Sequence, residues 1–419
     1  MPAPQGLIEK YANKKTSFRF HGRELEFFLS QALFSSYSID RGSRILLDSL
    51  SQDKDLSQRE SLYDLGCGVG VLGISVKKAF PHIPARLQDK DALAAAFSRI
   101  NAELNGVEGL EISAGPAFHG YRGSRFDLIL SNIPAKVGPT VLRHLYREII
   151  THLSPSGRAA VVVVQAIADQ TEALLQGLGA QILFRLSERE HRVLHFTAPE
   201  EPLTGSSVVE RLEDAYFRDT LRCKADSFSY TLDTIWGSAD FDTPPYTVHL
   251  AAKLLPRLLE QWKKESPRFF IWNPGQGHLA MLLGSVIHSV GLEEASIHCG
   301  GRDWNETELC RHNLRLYAPP QLPCQSFPLP DPAFFDPPEG TRYQALLVEL
   351  ENLGNVPPVD SVFQTAGRVL APGGVLVILG KAAHVHRFAR PNRRFSTWGD
   401  KKYRSYRILA LADRKKTSI

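Results

Sequence analysis

The sequence of 419 residues lacks the features of a membrane protein and of a disulfide-stabilised secreted protein. It contains no run of about 18 apolar residues, the length that a membrane-spanning helix requires. No apolar segment follows a basic one near the N-terminus, so no secretory signal is expected. Five cysteines are scattered without a Cys-x-x-Cys pair, which argues against a disulfide framework and a zinc site. We therefore expect a protein of the reducing cytoplasm without a membrane span or a bound metal.

What the chain does contain is an ordinary globular composition, with 43% apolar and 22% charged residues. Its length allows two or three domains with separate cores. The net charge of +4 conceals an uneven distribution. Residues 201–380 carry 14 Lys and Arg against 22 acids, whereas residues 381–416 carry 12 against two. This basic C-terminal segment indicates a localised electrostatic contact, as for a nucleic acid.

Residues 62–73 indicate a short apolar strand, a glycine turn and the start of a helix. Gly66 and Gly68 can adopt positive φ, and with Gly70 they let the backbone approach a ligand without a Cβ in the way. The turn is expected to leave free N–H groups at the helix N-terminus, which suit a carboxylate or a phosphate. Cofactors of several kinds use such a turn.

Two acidic residues at the ends of strands favour a cofactor site at this turn. Asp64 stands two residues before the first glycine, and Asp89 ends a second strand about twenty residues later. A carboxylate at that second position is a natural acceptor for the hydroxyls of a ribose. The alternative is a βα turn and a surface aspartate in a domain that binds nothing. We expect a cofactor site formed by Asp64, Gly66, Cys67, Gly68, Gly70 and Asp89.

Strands and helices alternate between residues 62 and 197, the pattern of a parallel α/β sheet with an antiparallel edge hairpin. Residues 16–29 indicate a further β-hairpin around His21 and Gly22. Proline and glutamate at residues 199–202 predict a domain boundary. We expect one domain at residues 1–200 and a second at residues 201–419.

The second half repeats landmarks of the first in the same order, with slowly growing offsets. Residues 271–279 match residues 62–70 at an offset of 209, and residues 310–313 match residues 98–101 at an offset of 212. Loop insertions in a duplicated fold produce this pattern. Chance similarity between two α/β domains is the alternative.

The two copies differ where the chemistry is expected. At these offsets Asp64 is replaced by Asn273, Gly70 by Leu279 and Asp89 by Gly301, although Asp303 lies nearby. Glu349 stands at the position of Asn132. We therefore expect a cofactor-competent N-terminal copy and a degenerate C-terminal copy.

The order D-x-G-x-G-x-G resembles motif I of class I S-adenosylmethionine-dependent methyltransferases. Together with residues 33–47 and 131–134, it makes residues 16–197 similar to the catalytic domain of the tandem-domain ribosomal RNA guanine-N2 methyltransferases. In that family the degenerate copy comes first, whereas here it comes second. The resemblance implies two tandem Rossmann-like domains, S-adenosyl-L-methionine as cofactor, and ribosomal RNA or a ribosomal subunit as partner.

The resemblance also implies a catalytic role for Asn132, Ile133 and Pro134. In the family, an Asn-Pro-Pro-aromatic sequence ends the fourth strand, and its Asn side chain and next carbonyl accept hydrogen bonds from an exocyclic amine. This orients the nitrogen lone pair toward the methyl group. Here Ala135 replaces the aromatic residue, so stacking on a flipped base must come from elsewhere or be absent. The alternative is a strand-end turn that caps a helix.

The basic C-terminal segment interleaves arginine and lysine with aromatic residues over residues 386–407. Phosphates attract the charges, and unpaired bases stack on the rings. The alternative is a solvated edge hairpin whose aromatic side chains pack inward. The RNA-binding residues that we expect are Arg390, Arg393, Arg394, Trp398, Lys401 and Lys402.

The sequence thus predicts a methyltransferase that acts on an exocyclic amine, guanine N2 of ribosomal RNA. A non-catalytic RNA-binding or ribosome assembly factor on the same scaffold is one alternative. A ribosomal-protein methyltransferase is another, because Asn-Ile-x-Ala also resembles the strand-four motif of those enzymes. We expect a monomer.

Overall fold

A computed structural model gives the conformation of most of the chain. The residues that it describes are 4–33, 38–201, 203, 215–238, 242–263, 265–292, 294–318, 322–350, 357–390 and 393–414. They form two compact units that divide between Tyr216 and Phe217. The sequence-based boundary between residues 200 and 201 stays a prediction, because residues 202 and 204–214 lie outside the described residues. Residues 34–37 of the sequence motif at 33–47 also lie outside them.

The first unit combines a hairpin with an α/β sheet. Its strands are β1 (Ala12–Phe20), β2 (Arg23–Ser30), β3 (Leu62–Leu65), β4 (Ala85–Asp89), β5 (Leu110–Ala114), β6 (Phe126–Asn132), β7 (Leu153–Val164), β8 (Gln181–Ser187) and β9 (His191–Thr197). Its helices are α1 (Pro4–Tyr11), α2 (Arg41–Leu50), α3 (Val71–Ala79), α4 (Ala92–Leu104), α5 (Gly138–Thr151) and α6 (Ala168–Gly177).

Seven of these strands form one sheet in the order β5-β4-β3-β6-β7-β9-β8. The strands from β5 to β7 pair in parallel, and β9 and β8 add an antiparallel edge. This confirms the α/β sheet with an edge hairpin expected from the sequence. The carboxyl ends of β3, β4 and β6 therefore lie side by side at one edge of the sheet, where ligands bind in open α/β folds.

The second unit has the same plan. Its strands are β10 (Phe217–Ala225), β11 (Phe228–Ile235), β12 (Arg268–Trp272), β13 (Ser296–Gly301), β14 (Cys324–Pro328), β15 (Tyr343–Glu349), β16 (Leu370–Lys381), β17 (Phe395–Tyr403) and β18 (Tyr406–Asp413). Its helices are α7 (Tyr246–Leu259), α8 (His278–Val290), α9 (Trp304–Tyr317), α10 (Val359–Val369) and α11 (Ala382–His386). The strand order, β14-β13-β12-β15-β16-β18-β17, repeats that of the first unit and confirms the tandem arrangement.

The central strands are buried on both faces, which explains their continuous apolar sequences. In β7, every side chain from Ala159 to Val163 is fully buried, and in β15 the same holds from Leu346 to Val348. Helices cover both faces of each sheet, so the core of each unit lies between its sheet and its helices. These rigid strands fix the positions of the residues that follow them.

One buried amide connects the first hairpin to the glycine turn. Asn101 on α4 accepts a hydrogen bond from the Phe28 N–H (2.8 Å) and donates to the Phe28 carbonyl (3.2 Å) and the Val69 carbonyl (2.9 Å). In the second unit, Asn313 bonds in the same way to both backbone groups of Asp233. In both units, a buried asparagine therefore holds a hairpin against a helix.

We expect Asn101→Ala to lower the stability of the first unit by about 1–3 kcal/mol, because it leaves buried backbone groups of Phe28 unpaired. Thermal and urea unfolding of the whole chain measure the effect. Gln176→Ala removes an exposed amide from α6 and serves as the control. Equal stabilities of the two variants would contradict the assignment.

Candidate functional site

The glycine turn between β3 and α3 has the backbone conformation that its sequence predicts. Gly66, Gly68 and Gly70 have φ values of +71°, +57° and +89°. A Cβ at Gly66 or Gly68 would meet no atom within 4 Å, so the backbone there borders open space. A Cβ at Gly70 would instead clash with the Ile74 side chain. Gly66 and Gly68 thus leave room for a ligand, whereas Gly70 is needed for packing.

The N–H groups of the turn, however, are used by the protein itself. Those of Gly66 and Cys67 donate to the Gln88 carbonyl, and that of Gly70 donates to the Cys67 carbonyl. The Gly68 N–H donates to Asp89 Oδ2 at 2.9 Å. The expectation that these groups are free for a carboxylate or phosphate is therefore wrong for these four residues. These four N–H groups stabilise the turn itself.

The side chain of Cys67 packs inside the glycine turn. Its side chain is buried, with Sγ 3.4 Å from Ser98 Oγ, and the Ser98 hydroxyl donates to the Gly68 carbonyl at 2.9 Å. Burial raises the pKa of the Cys67 thiol well above its ordinary value, so the thiol stays protonated. We assign Cys67 a packing role under the turn, not a reactive one.

Asp64 is a fully buried carboxylate at the end of β3. Its Oδ2 accepts a hydrogen bond from the Gly73 N–H of α3 at 2.8 Å, and its Oδ1 has no partner among the described residues. Burial raises the pKa of Asp64 to about 7, against the Gly73 hydrogen bond, and the nearby charge of Asp89 raises it further. The second oxygen is therefore a buried hydrogen-bond acceptor that the described residues leave unused.

Asp89 ends β4 on the other side of the turn. It accepts from the Gly68 N–H through Oδ2 and from the Asp91 N–H through Oδ1, both at 2.9 Å. Burial raises its pKa to about 6, and the charge of Asp91 adds to the shift. Within the described part of the chain, neither Asp64 nor Asp89 forms an ion pair. Two carboxyl groups without a cationic partner suit a ligand that brings positive charge and hydroxyl donors.

Asn132 ends β6 beside this site, and its amide has a fixed partner. Its Nδ2 donates to Asp40 Oδ1 at 3.0 Å and lies 3.5 Å from Ser43 Oγ. Asp40 caps α2 by accepting from the Ser43 N–H at 3.0 Å and from the Ser43 hydroxyl. A carboxylate can only accept hydrogen bonds, so the amide must turn its NH₂ to Asp40. Its carbonyl oxygen is then the atom left for a substrate.

The residues that follow Asn132 differ in burial. The Ile133 side chain is buried in the core, and its N–H donates to the Val162 carbonyl at 2.9 Å. Pro134 and Ala135 are exposed. Helix α5 begins at Gly138 with Val137 as its N-cap. Asn132 therefore does not cap this helix, contrary to the structural alternative considered for it.

The role of Asp40 beside Asn132 is not evident from the sequence. The residue lies 92 positions before Asn132, and only the fold brings the two side chains together. The available signal was an N-cap pattern, an aspartate followed three residues later by a serine before an apolar helix. That pattern predicts a cap and says nothing about a second partner.

Hydrogen bonding corrects the alignment of the second glycine turn. Asn273 has positive φ and donates its N–H to the Gly300 carbonyl, as Gly66 does to Gln88. The correct offset is thus 207. Asn273 corresponds to Gly66, not to Asp64.

The same offset changes two other pairs. Gly277 takes the place of Gly70, and Leu279 is a buried core residue of α8. Asp64 is matched by the buried Ile271. Sheet register still pairs Asp89 with Gly301.

In the second unit, a buried side chain occupies the glycine turn. Gln276 is fully buried and bonds to both backbone groups of Ile235 (3.1 and 3.2 Å). Asp303 caps α9 by accepting from the Asn305 and Glu306 N–H groups. Asp303 is therefore committed to the helix cap.

Three of the six residues expected to bind RNA have partners within the second unit. Arg394 donates twice to Asp413 Oδ2 (3.0 and 2.7 Å), and Lys401 donates to the Lys253 carbonyl at 3.0 Å. Trp398 is half-buried against the core, with the Arg257 guanidinium 5.7 Å from its ring centroid. Arg390, Arg393 and Lys402 are exposed. Their role in RNA binding stays a prediction.

The described residues contain no group of three or more His, Cys, Asp or Glu side chains placed to hold a metal ion. None of the helices described is both long and apolar enough to cross a membrane.

Comparison with known proteins identifies the fold and the family. Residues 24–185 match the model of the methyltransferase small domain. The uncharacterized protein YbxB of Bacillus subtilis is 30% identical over 154 residues, which cover 36% of this chain and 75% of YbxB. The chain belongs to the methyltransferase small domain family. Membership makes it a methyltransferase that uses S-adenosylmethionine and confirms the family, enzyme class and cofactor expected from the sequence.

Other members extend the comparison. Ribosomal RNA small subunit methyltransferase C of Pasteurella multocida is 33% identical over 143 residues, 33% of this chain and 42% of that protein. The match thus spans less than half of that relative. A solved T. thermophilus 16S rRNA N2 methyltransferase, in complex with AdoMet and guanosine, aligns with a TM-score of 0.61 at 16% identity. It covers 96% of this chain and 98% of its own, so the two-unit fold is shared over the whole length.

The site of the methyltransferase fits its cofactor. S-adenosylmethionine carries a positive sulfonium and a ribose, and the two carboxyl groups of Asp64 and Asp89 are acceptors of the kind that such a ligand needs. Gly66 and Gly68 leave space beside the turn. That Asp89 binds the ribose hydroxyls stays a prediction.

We expect Asp89→Ala to weaken S-adenosylmethionine binding by about 1.5–3 kcal/mol, the range for a hydrogen bond to a charged group. Calorimetric titration measures it. Asp48→Ala, which removes an exposed carboxylate of α2, is the matched control and keeps full affinity. An unchanged affinity in Asp89→Ala would move the ribose site elsewhere.

The raised pKa of Asp64 predicts how stability depends on pH. The folded protein holds a proton up to about pH 7 that the unfolded chain releases near its ordinary value of 3.8. This carboxyl therefore lowers the free energy of unfolding as pH rises from about 4 to about 7. Asp64→Asn stays neutral and lacks this loss. Without cofactor, wild type should lose stability relative to the variant between about pH 4 and about pH 7. Parallel pH profiles would contradict this.

Proposed function

We propose that this methyltransferase transfers a methyl group from S-adenosylmethionine to the exocyclic amine, N2, of a guanine in ribosomal RNA. The observation that carries the proposal is the orientation of Asn132. Its NH₂ is held by Asp40 at 3.0 Å, so its carbonyl oxygen faces away from that carboxylate as an acceptor.

An acceptor at this position selects the kind of atom that is methylated. An exocyclic amine offers two N–H groups, one for the Asn132 oxygen and one for the carbonyl that follows in the resembling family. A base carbonyl or ring nitrogen acceptor would face the Asn132 oxygen without a proton between them. Held by its two N–H groups, the amine nitrogen directs its lone pair away from them. Positioning of this kind supplies most of the rate enhancement.

Each residue at the strand edge then has one task. Asp89 binds the ribose, Asp64 keeps a free acceptor oxygen, and Asn132 orients the amine. The cofactor supplies an electrophilic methyl group on its sulfonium. Asp40 is a positioning residue that acts through Asn132, and Ser43 holds Asp40 in turn through two hydrogen bonds.

The relatives support ribosomal RNA as the substrate. Several are named ribosomal RNA small subunit methyltransferase C, including those of Pasteurella multocida and Pseudomonas syringae. The structural neighbour was solved with guanosine. Ribosomal RNA in the cytoplasm is therefore the first substrate to test, with the small subunit as its natural form.

A second candidate substrate is an amine of a ribosomal protein. Ala135 is exposed where the RNA enzymes resembled by this chain carry an aromatic residue that stacks on the base. A side-chain amine needs no such stacking. Incubation with methyl-labelled S-adenosylmethionine and ribosomal subunits distinguishes the two. Label in N2-methylguanosine after nucleoside analysis supports the proposal, and label in protein alone overturns it.

We also propose that the second unit binds no cofactor. Ile271 and Gly301 stand where the first unit has Asp64 and Asp89, so both acceptor carboxylates are missing. Calorimetry of the full chain should give one S-adenosylmethionine per chain, and Asp89→Ala should weaken that single site. Two sites per chain would contradict the proposal. The expectation of a monomer stays a prediction.

We expect Asn132→Ala to lower kcat by about 100-fold or more, because the amine loses its orientation, while cofactor affinity is retained. Asp40→Ser keeps a helix cap but is too short to reach Asn132, so kcat falls without loss of stability. Asp40→Asn keeps the reach and most of the activity.

The two positions should also be coupled. On an Asn132→Ala background, Asp40→Ser should have no further effect on kcat. Additive losses, or equal losses of stability and activity, would make Asp40 and Asn132 structural residues only.

A further inference from the structure

The turn between β17 and β18 carries an exposed aromatic and cationic cluster. Its members are Tyr246, Tyr403, Arg404 and Tyr406, here called the turn cluster. Tyr403 is 51% exposed and Tyr246 38%, although most large apolar side chains of the described residues are buried. The Tyr246 ring centroid lies 5.9 Å from that of Tyr403 and 5.4 Å from that of Tyr406.

Arg404 joins these rings. Its Cζ lies 5.0 Å from the Tyr246 centroid and 5.4 Å from the Tyr403 centroid, and its guanidinium donates to the Tyr246 hydroxyl. Its φ of +52° is in the left-handed region, where a tight hairpin turn normally places Asn or Gly. The chain thus accepts backbone strain to place an arginine there. Strain of this kind is concentrated at functional positions.

The cluster occupies a defined corner of the repeated fold. Tyr406 pairs with Lys381 at the end of β16, as His191 pairs with Val164 at the end of β7. At the corresponding turn of the first unit, Arg41 forms an ion pair with Glu188. The second unit has tilted aromatic rings and a cation in place of that neutral pair.

The same edge of the second unit has lost the catalytic amide. Sheet register places Glu349 at the position of Asn132, and Glu349 is buried beside Thr247. The end of β15 therefore carries a carboxyl group where β6 carries the Asn132 amide. Lys381 and Lys402 are exposed next to the turn cluster, within the segment of residues 381–416 that carries 12 basic residues against two acids.

We propose that the turn cluster is a stacking platform for unpaired bases of single-stranded RNA. Aromatic faces stack on bases of any sequence, and neighbouring Lys and Arg follow the phosphates. An acidic protein would use the charges but not the ring faces. The proposal deepens the proposed function, on which it rests, by naming where the substrate RNA is held outside the catalytic unit.

The test uses the full chain and a fluorescent single-stranded RNA oligonucleotide, with anisotropy measured at several salt concentrations. Tyr403→Ala should weaken binding by about tenfold or more with an unchanged salt slope, because stacking is not electrostatic. Tyr403→Phe keeps the ring and should keep the affinity. Arg404→Asn suits the left-handed turn and should weaken binding while flattening the slope by about 0.7, the value for one single-strand contact.

Arg257→Ala is the matched control. It removes one exposed cation of the same unit that also stacks on an aromatic ring, the half-buried Trp398. RNA affinity should stay within about twofold, the experimental scatter. Equal effects of Arg257→Ala and Arg404→Asn would overturn the platform and leave only general attraction. Binding of an acidic polypeptide, weakened by Tyr403→Ala when RNA binding is not, would also overturn it.

Failure of the platform and failure of the proposed function are distinguishable. Methyl transfer to ribosomal RNA, with RNA affinity unchanged in Tyr403→Ala, overturns the platform alone. RNA binding that depends on Tyr403 as expected, with no methyl transfer to RNA by the wild type, supports the platform and overturns the proposed function.

Discussion

The structure of the catalytic edge depends on two buried carboxylates that accept hydrogen bonds from the backbone around them. Asp64 bonds to the first turn of α3, and Asp89 bonds to the glycine turn and to the start of the next helix. Burial raises the pKa of both carboxyls, and among the described residues neither acid forms an ion pair that would lower it. The turn is therefore shaped by its own acids, which have no cationic partner there.

The sequence was sufficient for the fold, and the roles it gives to the residues of this site stay predictions. Strand and helix alternation, the spacing of Asp64 and Asp89, and the duplication are all local or periodic signals. Hydrogen-bond partners were not predictable in this way. The turn N–H groups looked free because their acceptors lie on another strand. Asn273 was paired with Asp64 because the residue types are similar, but positive φ and the bond to Gly300 place it opposite Gly66.

The two copies share the residues that maintain the fold and differ at the residues that end the strands. Both units keep the sheet order and the asparagine that clamps a hairpin to its helix. They differ at the strand ends, where the first unit presents acids and an amide and the second presents Ile271, Glu349 and an exposed Tyr and Arg cluster. Core positions are constrained by packing, whereas the strand ends can change without loss of the fold.

The charge of Asp89 also has a consequence for what happens after the reaction in the proposed site. The cofactor enters with a positive sulfonium, and the spent product is a neutral thioether. Asp89, whose pKa of about 6 leaves it mainly ionised at neutral pH, would attract the positive cofactor more strongly than the neutral product. The side chain proposed to bind the ribose would therefore also favour exchange of the spent product for fresh cofactor.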